Sequence, residues 1–269
     1  MLFYEQTEII GDMEQQKVYT PDSASRIALK IGSGIIECGG EVSRAEDSAK
    51  RAALAMGMTA CEVFALNSFF LITVCDGSGK SITVSRRIKV RSTDLGKLEY
   101  INELSRELCD GSLEAIKAEL MLDKYTPVIA STVWSYAVSM AVCAVFTLFF
   151  GGGAREAIVA AIGASVTVWL KRTAKNGFGN PVIFTFICSF ASGICGVLLV
   201  LAGVAENYAV IAKGDIMLLV PGLSLVCAGR DIIGGDLLTG LLSFIETALI
   251  AMALAAGFAL PEILLAARG

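Results

Sequence analysis

Apolar residues keep two different rhythms along this chain. Up to about residue 126 they recur every two, three or four positions among charges; from Pro127 onward they run in long, almost uncharged blocks. In the first part, Thr20 followed by Pro21 predicts a helix start, with a side-chain cap and a proline at the first helical position. Ile27, Ile31, Ile35 and Cys38 then step by three or four, and Gly39-Gly40 ends the run. Ser43 and Glu46 have the S-x-x-E spacing of a capping box and predict a second helix, with Ala45, Ala49, Ala52, Ala53 and Met56 on one face and Gly57 as its stop.

The period then shortens to two. Thr59–Leu66, Ser68–Cys75 and Ser81–Val90 are rich in β-branched and aromatic residues and predict three strands. Asp76-Gly77-Ser78-Gly79 is a hairpin turn signal between the last two. Helical spacing returns from Asp94 to Cys109 (Leu95, Leu98, Ile101, Leu108) and from Ser112 toward Lys124. Residues 1–19 show no periodicity and read as a flexible tail. Residues 20–126 therefore predict an α+β domain.

The apolar blocks of residues 127–269 predict an α-helical polytopic membrane domain of about five transmembrane helices, over 127–150, 154–172, 181–205, 209–229 and 237–261. Charge supports this division. Residues 1–126 hold 15 of the 22 Lys and Arg and 19 of the 26 Asp and Glu, leaving seven of each sign for the second part. Lys171, Arg172 and Lys175 lie between the second and third spans. With the N-terminal domain cytoplasmic, that loop is cytoplasmic too, as the excess of basic residues on cytoplasmic loops requires. The expected location is the plasma (inner) membrane.

Composition removes several function classes. The net charge of −4 and pI near 5.1 give no basis for a nucleic-acid partner. The acidic N-terminal stretch lacks the apolar core of a signal peptide. With no histidine and no C-x-x-C among eight cysteines, no metal site is expected, and the free cysteines suit a reducing compartment. A membrane-anchored enzyme is an alternative reading, but no G-x-S-x-G occurs. Asp76–Lys80 lacks the phosphate-loop spacing, so no catalytic residue or cofactor is expected.

Candidate chemistry concentrates in Pro221–Gly240 (PGLSLVCAGRDIIGGDLLTG), where Arg230, Asp231 and Asp236 stand among helix-breaking residues in the most apolar part of the chain. Charges there line cavities, pair, or handle substrate, and interrupted helices build many transporter sites. Pro221-Gly222, Gly229 and Gly234-Gly235 are the expected breaks. The same charges also fit a cytoplasmic loop holding a structural Arg-Asp pair. Glu246, inside the last apolar span, is either a buried proton carrier or a helix-to-helix hydrogen-bonding group. Glu41, Arg44, Glu46 and Asp47 are either a helix start or a vestibule or regulatory ligand site. Arg86, Arg87, Lys89 and Arg91 suit lipid headgroups or a solvated strand end. Asn180, before Pro181, starts the third span and is a weaker contact candidate.

Four blocks carry a resemblance: Gly39–Arg51, Ser85–Leu108, Gly163–Pro181 and Pro221–Gly240. Together they resemble the threonine/serine exporter family, and in length the short form with five spans. The most specific matches are Pro221, Gly222, Arg230, Asp231, Gly235, Asp236 and Gly240. The chain departs from the family pattern at Cys227-Ala228-Gly229, where an Asn usually precedes the Arg-Asp pair, and at Asn67-Ser68-Phe69, in place of a Pro-Thr-Gly run. The resemblance implies gradient-driven export of small polar solutes: threonine and serine, or dicarboxylates such as succinate in two-subunit members. It also implies a partner, a second small membrane subunit of the same family, in a homo- or hetero-oligomer within the lipid bilayer. A regulatory subunit acting through the soluble domain is the remaining alternative.

Overall fold

The computed structural model describes residues 19–89, 91–126, 131–173 and 180–266, with the side chains of 264 and 265 excepted. The predicted tail, and residues 127–130 of the first predicted span, lie outside the described residues. The chain divides into two compact units, Met1–Pro127 with Ile233–Thr239, and Val128–Ile232 with Gly240–Gly269.

The first unit runs α1 (Pro21–Glu37), α2 (Val42–Ala55), β1 (Ala60–Leu66), β2 (Phe69–Cys75), β3 (Ser81–Arg87), α3 (Leu95–Cys109) and α4 (Ala115–Lys124). Thr20 caps α1 through its hydroxyl, which accepts the Ser23 N–H, and Pro21 follows it. The chain leaves α1 through Gly39, whose φ of +85° favours glycine, and the Gly40 N–H returns to the Ile35 carbonyl. The strands form one antiparallel sheet in the order β1-β2-β3, with Ala65 opposite Phe70 and Ile72 opposite Val84. Asp76 builds the β2–β3 turn: its Oδ1 accepts the Ser78 and Lys80 N–H groups and the Ser78 hydroxyl, and the hydroxyl leads the interactions that hold its carboxyl below the ordinary range. Phe70, Ile72 and Val74 alternate onto the helix-covered face. There they meet Ile27, Ile31, Ala45, Ala49 and Ala52 in one apolar core.

The predicted capping box does not form. The N-cap falls two residues earlier, at Glu41, with no side-chain cap, and Ser43 lies within α2. Glu46 reaches instead to β1, where its Oε1 accepts the Ala65 N–H at 2.7 Å. The 3-residue spacing was compatible with a local bond, but an edge strand with a buried open N–H offered the better donor.

The second unit is helical: α5 (Thr132–Phe149), α6 (Ala154–Thr173), α7 (Pro181–Leu201), α8 (Tyr208–Leu219), α9 (Gly222–Ile233) and α10 (Leu237–Ala266), whose first residues cluster with the other unit. Large apolar side chains face outward, among them Val133, Trp134, Phe149, Leu198 and Met252. Inward positions are small or hydroxylic, as in Cys143, Thr147, Ala160, Ser189 and Ser192. That is the arrangement of helices that pack closely against one another and turn apolar surface to lipid. By length and composition α5, α7 and Leu237–Ile263 of α10 are able to cross a membrane, and α8 with α9 makes a fourth candidate if the bent pair is one span. The protein is therefore a mostly helical membrane protein with three to four candidate spans and a small three-stranded sheet. Helix α6, expected as a further span, does not reach the same apolarity because Arg155, Glu156, Lys171 and Arg172 lie at its ends.

Candidate functional site

The break expected at Pro221-Gly222 is present. Proline has no N–H to continue the helix and forces the residue before it out of helical geometry. Val220 accordingly sits at φ −58°, ψ 127° at the end of α8, and α9 starts at Gly222. The two axes bend by 58°. The break expected at Gly229 is absent: α9 continues through it to Ile233, because a lone glycine weakens a helix without ending it. The Gly234-Gly235 break is present as a turn, with Gly235 at φ +98°.

Arg230 and Asp231 consequently share the last turn of α9, about 12 Å along the axis from Gly222. Being consecutive on a helix, they diverge: Arg230 is exposed and Asp231 is 5% exposed. Asp236 immediately precedes α10, where a carboxylate faces a helix N-terminus. Gly240 explains itself sterically. A Cβ there would stand 2.8 Å from the Ile232 nitrogen and 3.0 Å from the Ala228 carbonyl oxygen, so α9 and α10 approach backbone to backbone.

The other expected residues disperse. Asn180 is the N-cap of α7, its side-chain oxygen accepting the Val182 N–H at 2.9 Å. Glu246 lies exposed on the surface of α10 in this chain, which corrects its reading as a buried carboxylate. In the first unit Arg44 and Asp47 line a cavity of about 310 Å³ with Arg51, Asn102 and Arg106. Asp47 pairs with Arg51 one turn along α2. Glu46 turns away to β1, where burial pushes its carboxyl above the ordinary value. Arg86 and Arg87 border a second cavity with Lys89 and Lys97, and Arg86 pairs with Glu37 at 3.1 Å.

One polar centre went unassigned in the sequence. Asp215 of α8 is 3% exposed, and its Oδ2 accepts the Ser192 hydroxyl of α7 at 2.6 Å. Gly163 of α6 leaves room for both side chains; a Cβ there would fall on the carboxylate and on the Ser192 oxygen. On α5, Cys143 lies beside the carboxyl, and Thr147, its hydroxyl bonded to the Cys143 carbonyl, packs on Gly214. Four helices thus converge on one buried carboxylate. The signal was available, a lone acid inside an apolar run, but its partner is 23 residues away. Among the described residues no group of three or more Cys, Asp or Glu is placed to hold a metal ion.

A family model described as "Putative threonine/serine exporter" matches residues 26–262. Two proteins named "Probable succinate transporter subunit YjjP" are similar over almost their whole length. The one from Klebsiella aerogenes is 23% identical over 96% of this chain and 98% of its own, and the one from Escherichia coli K12 is 22% identical over 95% and 98%. A "Probable threonine/serine exporter" from Mycobacterium tuberculosis is 26% identical over 86% of this chain but 43% of its own length. No solved structure matches.

Proposed function

The chain belongs to the threonine/serine exporter family, and from that premise we propose that it exports small polar metabolites, threonine and serine or dicarboxylates such as succinate, driven by an ion gradient. It is a transporter subunit. The observation that carries the reading is the pattern of coverage. The relatives matched from end to end are named subunits, whereas the mycobacterial exporter is matched over less than half its length. A second small membrane subunit of the same family completes the path. The N-terminal α+β domain is cytoplasmic, five helical spans cross the inner membrane counting α6 and the bent pair α8–α9, and no cofactor takes part.

The bent pair supports a substrate site in Pro221–Gly240. A helix restarted at Gly222 turns the positive end of its dipole toward the break, which suits a carboxylate group. Arg230, Asp231 and Asp236, set by the Gly235 turn, bind or gate the solute from the cytoplasmic side. Glu246, Asn180 and the Arg44–Asp47 cavity are secondary contacts along the route.

The test is a metabolite-resolved efflux measurement in cells loaded with serine, threonine or succinate, with and without a co-expressed partner subunit. Efflux of one solute class should rise only with both subunits. Arg230→Ala and Asp236→Asn should abolish it while membrane insertion is retained. Wild-type efflux from both variants would sink the site assignment, and hydrolytic turnover by the chain would replace the transporter reading with an enzymatic one.

A further inference from the structure

Asp215 is the buried charge that the substrate site does not use. Its carboxyl accepts the Ser192 hydroxyl and lies within reach of the Cys143 thiol, and one oxygen, Oδ1, is buried with no hydrogen-bond partner. An ionised carboxylate accepts several such bonds, and burying it uncompensated is strongly unfavourable. No Lys or Arg among the described residues forms an ion pair with it. Lys171 of α6 acts on Cys143 and Cys188, and Lys213, two residues away on α8, is exposed. The groups that face Asp215 are the Cys143 thiol from α5, bare Gly163 from α6, Ser192 and Cys195 from α7 and Tyr208 from its own helix. From α10, Glu262 acts on Tyr208. The protein supplies a fitted negative site and withholds the counter-charge.

We propose that Asp215, positioned by Ser192, binds the driving cation of the transporter, a proton or a sodium ion. The proposal rests on the transporter reading and deepens it. The cation supplies the positive charge that no Lys or Arg among the described residues brings to Asp215. Asp215 lies five residues before the Val220 break, about 7 Å along α8. Loading neutralises the carboxylate and lets α8 seat against α6 and α7. Emptying restores a charge that draws α8 toward water. The same half-helix ends at the hinge to α9, so the seating of α8 is transmitted to Arg230 and Asp231 without a further moving part. Gly163 is the complementary feature, since any side chain there would collide with the Asp215 carboxylate and the Ser192 hydroxyl that form the site.

The experiment uses the chain co-reconstituted with its partner subunit in vesicles, with either a pH gradient alone or a sodium gradient alone. One arm measures net efflux and another measures exchange at equal substrate concentration on both sides. Asp215→Asn fixes the neutral state. It should keep exchange and lose all stimulation by whichever gradient drives the wild type. Ser192→Ala should shift the half-saturating cation concentration about tenfold, downward for a proton, because the lost hydrogen bond favours the ionised carboxylate, and upward for sodium, which needs the carboxylate held in place; tenfold is the scale of one lost hydrogen bond to a charged group. An infrared carboxylic-acid band present in the wild type and absent in Asp215→Asn assigns the proton; labelled sodium retained by the wild type alone assigns sodium. Gradient stimulation surviving in Asp215→Asn, or loss of exchange along with it in a folded protein, overturns the proposal. So does an unchanged midpoint in Ser192→Ala, which decides the case if Asp215→Asn fails to assemble. Absence of any solute flux from the wild type under either gradient would instead remove the transporter reading beneath it.

Discussion

Glu46 and Ala65 are joined across the edge of the sheet: the carboxylate of α2 accepts the backbone N–H of β1 at 2.7 Å. β1 pairs only with β2, so its outer N–H groups have no strand to meet. Ala65 is buried and water does not replace the bond easily. Glu46→Ala should therefore lower stability by about 1–3 kcal/mol, the cost of a buried donor left unmade. Thermal unfolding of the purified chain in detergent checks this. An unchanged midpoint would mean that the edge is solvated.

The same residue sets a pH dependence. Burial raises the Glu46 carboxyl, so the native state holds that proton more tightly than the unfolded chain does. Its contribution to stability is then largest below the unfolded value, near the ordinary carboxylate range, and is lost as pH rises through the raised native value. Glu46→Gln keeps an acceptor for Ala65 and removes the titration. Its stability should be flatter with pH across that window than the wild type's; parallel curves would show that Glu46 ionises without cost.

The contrast between Glu46 and Pro221 shows what the sequence made legible. Pro221 broke the helix where expected because the cause is covalent: a missing N–H and a clash with Val220 act in any tertiary setting. The caps at Thr20 and the stop at Gly39 were legible for the same reason. Glu46 offered two bonding choices, one three residues away and one nineteen residues away, and only the packed sheet decides between them. Asp215 is the extreme case. Its spacing to Ser192 follows from how α7 and α8 cross, and no local pattern encodes that crossing. Gly229 misled because a lone glycine reads as a stop only when a neighbouring proline or turn agrees with it.

Gly240→Ala tests the close crossing of α9 and α10. The added methyl would meet the Ile232 nitrogen at 2.8 Å and the Ala228 carbonyl at 3.0 Å, both backbone atoms that cannot turn aside. Overpacking of this kind costs about 1–3 kcal/mol. We expect a lower unfolding midpoint and lower efflux from the assembled transporter, while Gly229→Ala, which meets nothing within 4 Å, should be neutral or stabilising. Equal midpoints for the two variants would show that the helices separate readily there.

Pro221→Ala tests whether the bend between α8 and α9 is part of transport. Alanine restores an N–H able to reach the Met217 carbonyl, and it favours helix over proline by about 3 kcal/mol, so the two halves should tend to merge. Labels on exposed Lys213 and Val226 would then move apart as the 58° bend opens. A straight helix turns the N-terminal dipole of α9 into an internal turn and removes the carboxylate-facing end. Efflux should fall sharply, with membrane insertion and thermal stability equal to or above those of the wild type. Stability and activity would thus change in opposite directions, the sign of a bend kept for function. Full efflux from a straightened helix would detach the bend from transport and leave Pro221 as a packing device alone.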